Sequence, residues 1–453
     1  MRANGLMILV GLIVFGLVVG AISPLTPVLL IAYAAITWSL ARLVLTPERA
    51  LQHMTVFTVY AFAALAIYLA QLWTLPSYYG FSGGFGVGTD DSFFYSLVAR
   101  TLPDEFPLRA GNYIPEHSYA DLLRIPARLV WALGGTLHPL DLLLFNAAGL
   151  AALPSMTREL GERVGLDARS AGLAFLLMAV CPFTAINGLV LVRDGWQAVF
   201  FTGCLLAVVT RRWPVAAALA AGTFWMREGS GLLLIGTASL LVFAGERCWT
   251  KYAQPQRMII ARVFLIGFLS LVVVGVVARL SGSNELSFFR SDYIASTLVR
   301  SVNVDKGTST FYALMSLPPY LRTPLTFVFF WGSPFLSLGS LSSDGVWIPR
   351  MVLSNLFSIF FFFYAGWFLR GTLRVVKDRR PGMVLVLIAF MAGVLILSQA
   401  SMQLRHKTVM MPLFYLVTAA GVTSPYVSLR ALGWAFTLAL FVFSGVLNVY
   451  QLF

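Results

Sequence analysis

Stretches of about twenty residues almost free of charge recur along this chain from end to end, and that recurrence leaves it few ways to fold. A helix of that length matches the hydrocarbon thickness of a bilayer. In lipid every backbone polar group needs a partner inside the segment, so only helices and closed barrels span, and runs of this length are too long for barrel strands. Counted in this way, about thirteen spans fall near residues 5–22, 25–45, 54–74, 138–157, 169–191, 195–210, 213–227, 229–245, 262–281, 350–370, 383–399, 408–427 and 431–450. The seventh and eighth are short and meet at Arg227 and Glu228. With 58% hydrophobic and 11% charged residues over 453 positions, a soluble fold is excluded, because no globular core hides that much apolar surface. The expected fold is all-α: one polytopic helical membrane domain over residues 1–453. Two helices within 1–50 precede the first long loop. The run after Arg2 is too long for a signal peptide and no small-residue cleavage site follows it, so it reads as a retained first helix.

Thirty-two Lys and Arg against nineteen Asp and Glu give a net charge of +13. In a membrane protein that excess reflects basic cytoplasmic loops and anionic lipid, so it implies membrane lipid and no nucleic acid as partner. One alternation of sides gathers most of the cations on a single face: Arg42 and Arg49, Arg158, Arg163 and Arg169, Arg211 and Arg212, Arg247, Lys251, Arg257 and Arg262, and the basic run 370–380. By the positive-inside rule that face is cytoplasmic and the N-terminus lies inside. The opposite face then receives the loop 75–137, the turn at Arg193 and Asp194, the loop 282–349 and the turn 400–407. Cys181, Cys204 and Cys248 stand at no metal-ligand spacing.

Both long outer loops carry structure of their own. Residues 119–133 place apolar side chains at helical spacing with Arg124 and Arg128 opposite, the pattern of an amphipathic helix lying in the headgroup layer. Residues 317–335 are aromatic and contain four prolines, which predicts an interfacial or re-entrant segment rather than a straight span.

The candidate chemistry lies on this outer face. Residues 80–100 are glycine-rich and carry adjacent carboxylates, Asp90 and Asp91, in a chain that has few. Ionisable groups beside membrane helices are costly and point to function. A carboxylate pair there takes a proton from a hydroxyl or holds a divalent ion such as Mg²⁺ or Mn²⁺. It also suits the N-terminus of a helix starting at Ser92, a purely structural role. Glu116 and His117, with Asp91, make up a possible metal set. Arg193 with Asp194 and Arg227 with Glu228 are either local ion pairs or phosphate-gripping groups. Arg405, His406 and Lys407 form a cationic cluster that runs against the positive-inside trend, suited to phosphate. In the second loop Arg290, Arg300, Lys306 and Arg322 interleave with Phe288, Phe289, Tyr293, Phe311 and Tyr320.

The acidic motif Gly88-Thr89-Asp90-Asp91-Ser92-Phe93-Phe94-Tyr95 stands in a large outer loop after an early helix. An amphipathic segment follows, then a helix with Asn146, a span reaching Cys181 and Pro182, Arg193 and Asp194, and the turn at Arg405 to Lys407 before Met411 and Pro412. In this order the chain resembles the polytopic glycosyltransferases of the GT-C class. That resemblance implies a polyprenyl-phosphate-linked sugar donor and a glycan or lipid-linked acceptor. Asp90 and Asp91 would act as base or metal ligand, Arg193, Arg227, Arg405, His406 and Lys407 would hold the donor phosphate, and Tyr95, Asp194 and Glu228 would line the substrate. It further implies a bacterial inner membrane with the active site facing the periplasm. The two extra helices within 1–50, ahead of the acidic loop, depart from the class pattern. A weaker likeness to repeat-unit polymerases of exopolysaccharide and O-antigen shares the acidic element and the later Arg-Asp. A transporter or flippase of lipid-linked substrates would call for ionisable residues at mid-membrane, whereas the notable charges here gather at one face.

The orientation is directly testable in a background lacking Cys181, Cys204 and Cys248. A membrane-impermeant maleimide added to intact cells should label His406→Cys, and should label Arg212→Cys only after permeabilisation. The reverse pattern would invert the topology.

Overall fold

The computed structural model describes residues 2–74, 90–100, 117–181, 184, 189, 191, 193–226, 231, 233–238, 241, 318–332, 342–343, 346–347, 349–400 and 404–452. Among these the chain is almost wholly helical. One antiparallel pair of two-residue strands, Ser342–Ser343 (β1) and Val346–Trp347 (β2), is the exception. The helices are α1 (Arg2–Gly20), α2 (Thr26–Val44), α3 (Pro47–Thr74), α4 (Asp90–Arg100), α5 (His117–Ala132), α6 (Pro139–Leu150), α7 (Ala152–Arg163) and α8 (Ala168–Ala179). There follow α9 (Asp194–Val209), α10 (Trp213–Met226), α11 (Pro319–Gly332), α12 (Pro349–Asp378), α13 (Pro381–Ala400), a 3₁₀ turn (Leu404–Met410), α14 (Met411–Val422) and α15 (Ser428–Leu452).

Five helical stretches among the described residues are long and apolar enough to cross a membrane: Thr26–Leu43, Pro47–Trp73, Pro139–Arg163, Leu356–Asp378 and Ser428–Val446. Other expected spans coincide with shorter apolar helices, among them Asp194–Val209 and Pro381–Leu395. The span expected near 262–281 lies outside the described residues, as do most of 229–245 and of the loop 282–349. Large apolar side chains stand on the outer surface of these helices, such as Leu17 at 73% and Leu43 at 80% exposure. Such a surface needs an apolar solvent.

The chain gathers into two compact units. The first holds Met1–Thr157, Phe175–Val199 and Ser337–Phe357, and the second Arg158–Ala174, Phe200–Leu336 and Ser358–Phe453.

In the first unit α3 packs against α1, α2 and α6, and α5 joins α4 to α6. Phe15 meets Phe62 edge-on at 4.8 Å between ring centroids. Pro139 supplies the pre-set φ of a first helical residue at the head of α6. His138 and Asp141 cap it reciprocally, with the His138 N–H donating to Asp141 Oδ2 at 2.8 Å and the Leu140 N–H donating to His138 Nδ1 at 3.3 Å. The span expected over 138–157 is interrupted at Ala151, where α6 gives way to α7. Pro154 brings no N–H for the Leu150 carbonyl one turn back, so the ladder breaks there. The span expected over 169–191 is shorter too: α8 ends at Ala179, ahead of Pro182, because a proline disfavours helix in the residue before it.

The amphipathic segment does form a helix, α5, with Leu122, Leu123, Ala127 and Val130 buried and Arg128 exposed as expected. Arg124, also expected on the wet side, is instead 1% exposed, while Ile125 and Leu129 stand out at 59% and 43%. The physical reason is a partner: Arg124 pairs with the buried Asp121 one turn back, which offsets the cost of burying its charge.

In the second unit the expected proline-broken segment is one helix, α11, which passes through Pro324. Glycines bring the later helices into backbone contact. A Cβ on Gly421 would fall 1.9 Å from the Trp367 carbonyl oxygen, and one on Gly371 equally close to that of Val417. Gly366 and Gly433 bring α12 and α15 together in the same way. Small residues at crossings suit helices in lipid, where association rests on close packing rather than on hydrophobic exclusion. Phe368 stacks on Phe414 at 5.0 Å, with Phe361 and Phe390 beside it. Gly421→Leu should therefore lower the stability of the detergent-purified protein by about 1–3 kcal/mol or more, through overpacking. Gly445→Leu, where nothing lies within 4 Å, should leave it unchanged. Thermal unfolding of the two variants side by side decides the point, and equal midpoints would refute the packing argument.

Candidate active site

Asn146 lies in the middle of α6 with no exposed surface. An amide buried among leucines is tolerated only when it is hydrogen-bonded, and here two helices meet that need. The Tyr119 hydroxyl from α5 donates to Asn146 Oδ1 at 3.1 Å and accepts from Nδ2 at 2.8 Å. The Trp196 indole N–H from α9 donates to the same Oδ1 at 2.8 Å. The Trp196 ring stacks on Phe145 at 5.0 Å and occupies the space over Gly149, where a Cβ would lie 2.5 Å from it. On the other side Tyr119 meets Phe94 of α4 edge-on at 4.8 Å. Three helices thus meet at one buried amide, and α4 joins them through Phe94 on Tyr119.

The two heads of this arrangement are the motifs singled out in the sequence. The backbone of Asp90 and Asp91 forms the first turn of α4, two residues ahead of the start expected at Ser92, and Phe94 lies one turn further along. Asp194 is the first residue of α9, with Arg193 just before it, and Trp196 follows within the same turn. Asp194 is 1% exposed and Arg193 partly exposed. Gln197 is fully buried, and neither of its amide atoms hydrogen-bonds to a described residue.

Tyr95 donates its hydroxyl to the Leu137 carbonyl at 3.0 Å, which ties α4 to the α5–α6 connection. Burial raises its pKa above the ordinary phenol value, with Asp141 and Tyr68 adding to the effect. Asp141 itself has no exposed surface and accepts the Thr26 hydroxyl at 2.8 Å besides its cap bond. His138, whose Nδ1 accepts in the cap, presents Nε2 to the Tyr68 hydroxyl at 3.1 Å. Beneath the aromatic knot, Arg124 Nη1 pairs with Asp121 Oδ1 at 3.9 Å, both side chains buried.

Of the cationic triplet, Arg405 and His406 lie in the 3₁₀ turn before α14. Lys407 is turned into the second unit at 5% exposure: its ammonium donates to the Trp331 carbonyl at 3.0 Å and sits 5.0 Å from the ring centroids of Phe330 and Phe361. Aromatic faces accommodate a desolvated cation in this way. Arg227, Glu228 and Glu116 lie outside the described residues. His117 begins α5. Among the described residues no three His, Cys, Asp or Glu side chains gather as metal ligands. Trp196, Gln197 and the Asp121–Arg124 pair were not singled out in the sequence. The signal was there in part, as a tryptophan and a glutamine directly after Arg-Asp and an asparagine inside an apolar run.

Neither a protein-family model nor a curated protein matches the sequence. Among solved structures the chain is similar to the oligosaccharyltransferase of Archaeoglobus fulgidus. With its apo form it shares 14% identity at a TM-score of 0.43, over 88% of this chain and 54% of that one. The form tethered to an acceptor peptide containing the NVT sequon gives 16%, 0.41, 88% and 55%. The complex of that enzyme, AglB, with an inhibitory peptide and a dolichol-phosphate gives 16%, 0.42, 88% and 54%. The chain thus spans about half the length of the structures it matches.

Replacing Asn146 by leucine keeps the volume but removes its hydrogen bonds with the Tyr119 hydroxyl and the Trp196 N–H. A loss of about 1–3 kcal/mol is expected for these bonds. Unfolding of the purified variant measures it, and an unaltered midpoint would mean that the knot does not hold these helices.

Proposed function

We propose that the chain is a membrane glycosyltransferase of the GT-C type, moving a sugar from a polyprenyl-phosphate-linked donor to a glycan or lipid-linked acceptor at the outer face of a bacterial cytoplasmic membrane. The observation that carries this reading is the convergence at Asn146. Residues 90–95 and 193–196, about a hundred positions apart, are drawn to one buried tyrosine–asparagine–tryptophan knot, so an acidic helix start and an Arg-Asp helix start are braced by the same amide. Rigid support for reacting groups is what catalysis by positioning requires.

In this reading the prenyl tail lies between apolar helices and Arg193 grips the donor phosphate, helped by Arg227 and Arg405. Asp90 or Asp91 takes the proton from the acceptor hydroxyl as its oxygen bonds to the anomeric carbon. The bond from that carbon to the phosphate oxygen breaks, and the electron pair leaves with the polyprenyl phosphate. Cationic groups around that phosphate stabilise its developing charge. Gln197, buried beside Trp196 with hydrogen-bonding capacity to spare, is a group suited to a sugar hydroxyl. Asp91, Glu116 and His117 are the set to examine for Mg²⁺ or Mn²⁺.

The test is glycan profiling, by mass spectrometry and gel, of cells lacking the protein and complemented with wild type, Asp90→Asn or Asp91→Asn at matched membrane levels. Loss of a general base lowers transfer by about 10²–10⁴-fold. At least one aspartate variant should therefore fail to restore a glycan that wild type restores. Loss of one sugar mass fits single transfer, and collapse of a ladder to one repeat fits a polymerase. An unchanged glycan would overturn both and favour transport.

A further inference from the structure

The end of α12 carries Arg370, Arg374, Lys377, Arg379 and Arg380 around a single carboxylate, Asp378. Most of that charge is already engaged within the second unit. Arg374 donates to the Ala420 carbonyl and the Thr423 hydroxyl, each at 2.8 Å, and to Asp378 Oδ2 at 3.3 Å. Arg380 pairs with Asp378 at 3.6 Å and donates to the Gly165 carbonyl at 3.2 Å. The Tyr426 hydroxyl donates to the other Asp378 oxygen at 2.7 Å, and Lys377 lies over the Tyr426 ring at 3.7 Å. Asp378 is consumed by these contacts, and Asp167, whose charge also acts on Arg374 and Arg380, accepts from the Ser170 N–H at 2.8 Å and the Ser170 hydroxyl at 3.0 Å.

Arg370 is different. It is 6% exposed and donates through Nη2 to the Ser424 carbonyl, yet its Nε makes no hydrogen bond to a described residue. Burial works first against its charge, and the positive charges of Arg430 and Arg374 add to that. α15 crosses close by, since a Cβ on Gly433 would lie 3.9 Å from that of Arg370, and Arg430 precedes that glycine by one turn. Arg430 is exposed. Around it on α15 and just before it stand Val427, Leu432 and Trp434, 70%, 47% and 57% exposed. An arginine on each of two crossing helices, at the border of an apolar outer surface, calls for an anion that brings its own apolar part.

We propose that Arg370 and Arg430 bind the phosphate of an anionic phospholipid whose acyl chains lie along the exposed face of α15. Guanidinium forks match phosphate oxygens. The alternation of basic loops puts this corner on the cytoplasmic side, where anionic lipid is recruited by cations near the surface. The apolar flank separates this ligand from a soluble phosphate, which would gain nothing from Val427 and Trp434.

Native mass spectrometry of the full chain in detergent, titrated in turn with phosphatidylglycerol, phosphatidylcholine and inorganic phosphate, tests the assignment. Wild type should retain phosphatidylglycerol in preference to the other two. Arg430→Gln, at an exposed position that folding does not need, should weaken that retention about fivefold, the effect of one cation near the surface. Arg430→Lys should restore part of it, and Arg212→Gln, an exposed cation elsewhere in the chain, should leave it unchanged. Equal retention of phosphatidylcholine, equal binding by Arg430→Gln, or inorganic phosphate bound as well as the lipid would each overturn the proposal.

Discussion

A buried amide in an apolar helix is the constraint from which the first unit is built. Asn146 cannot be left without partners, since a low-dielectric surrounding makes an unpaired polar group costly and a paired one strong. Its two partners come from helices far apart in the chain, and each brings an aromatic ring that packs on the next, Tyr119 on Phe94 and Trp196 on Phe145. Remove the amide and the polar links from α5 and α9 to α6 are lost, leaving only apolar packing such as Trp196 on Phe145. Gly149 completes the arrangement by leaving room for the indole.

The second unit solves the same problem with charge and with the absence of side chains. Glycines let α12 approach α14 and α15 until backbones touch, and arginines satisfy the carbonyls that a helix end leaves open. Arg374 takes Ala420 and Arg370 takes Ser424 at the close of α14. Cations at a helix C-terminus also complement its dipole. Lys407 shows the inward version, an ammonium held by one carbonyl and two aromatic faces.

Much of the fold was legible because membrane helices announce themselves by length and apolarity, and α1, α2, α3, α12, α13 and α15 fall where apolar windows put them. Prolines set element bounds within these windows: α6 gives way to α7 at Ala151 beside Pro154, inside a stretch still long enough to span, and α8 ends at Ala179 ahead of Pro182. α5 was legible as a helix with Arg128 on its exposed side, but the burial of Arg124 was not, because the pattern did not show that Asp121 would partner it inside. The acidic pair and the Arg-Asp pair were legible as unusual polar residues in apolar surroundings, while Trp196 and Gln197 passed as ordinary members of an apolar helix.

The sequence by itself determined that this chain is helical, needs an apolar solvent and concentrates its rare adjacent carboxylates in one glycine-rich segment. These follow from composition and period, which are local properties. That Asn146 joins the helix headed by Asp90 and Asp91 to the one headed by Asp194, that Arg124 turns inward, and that Arg370 comes beside Arg430 were decided by tertiary structure alone. The physical reason is that each depends on which distant group answers a buried polar atom or shares a charge. A linear pattern records the need for a partner without naming it.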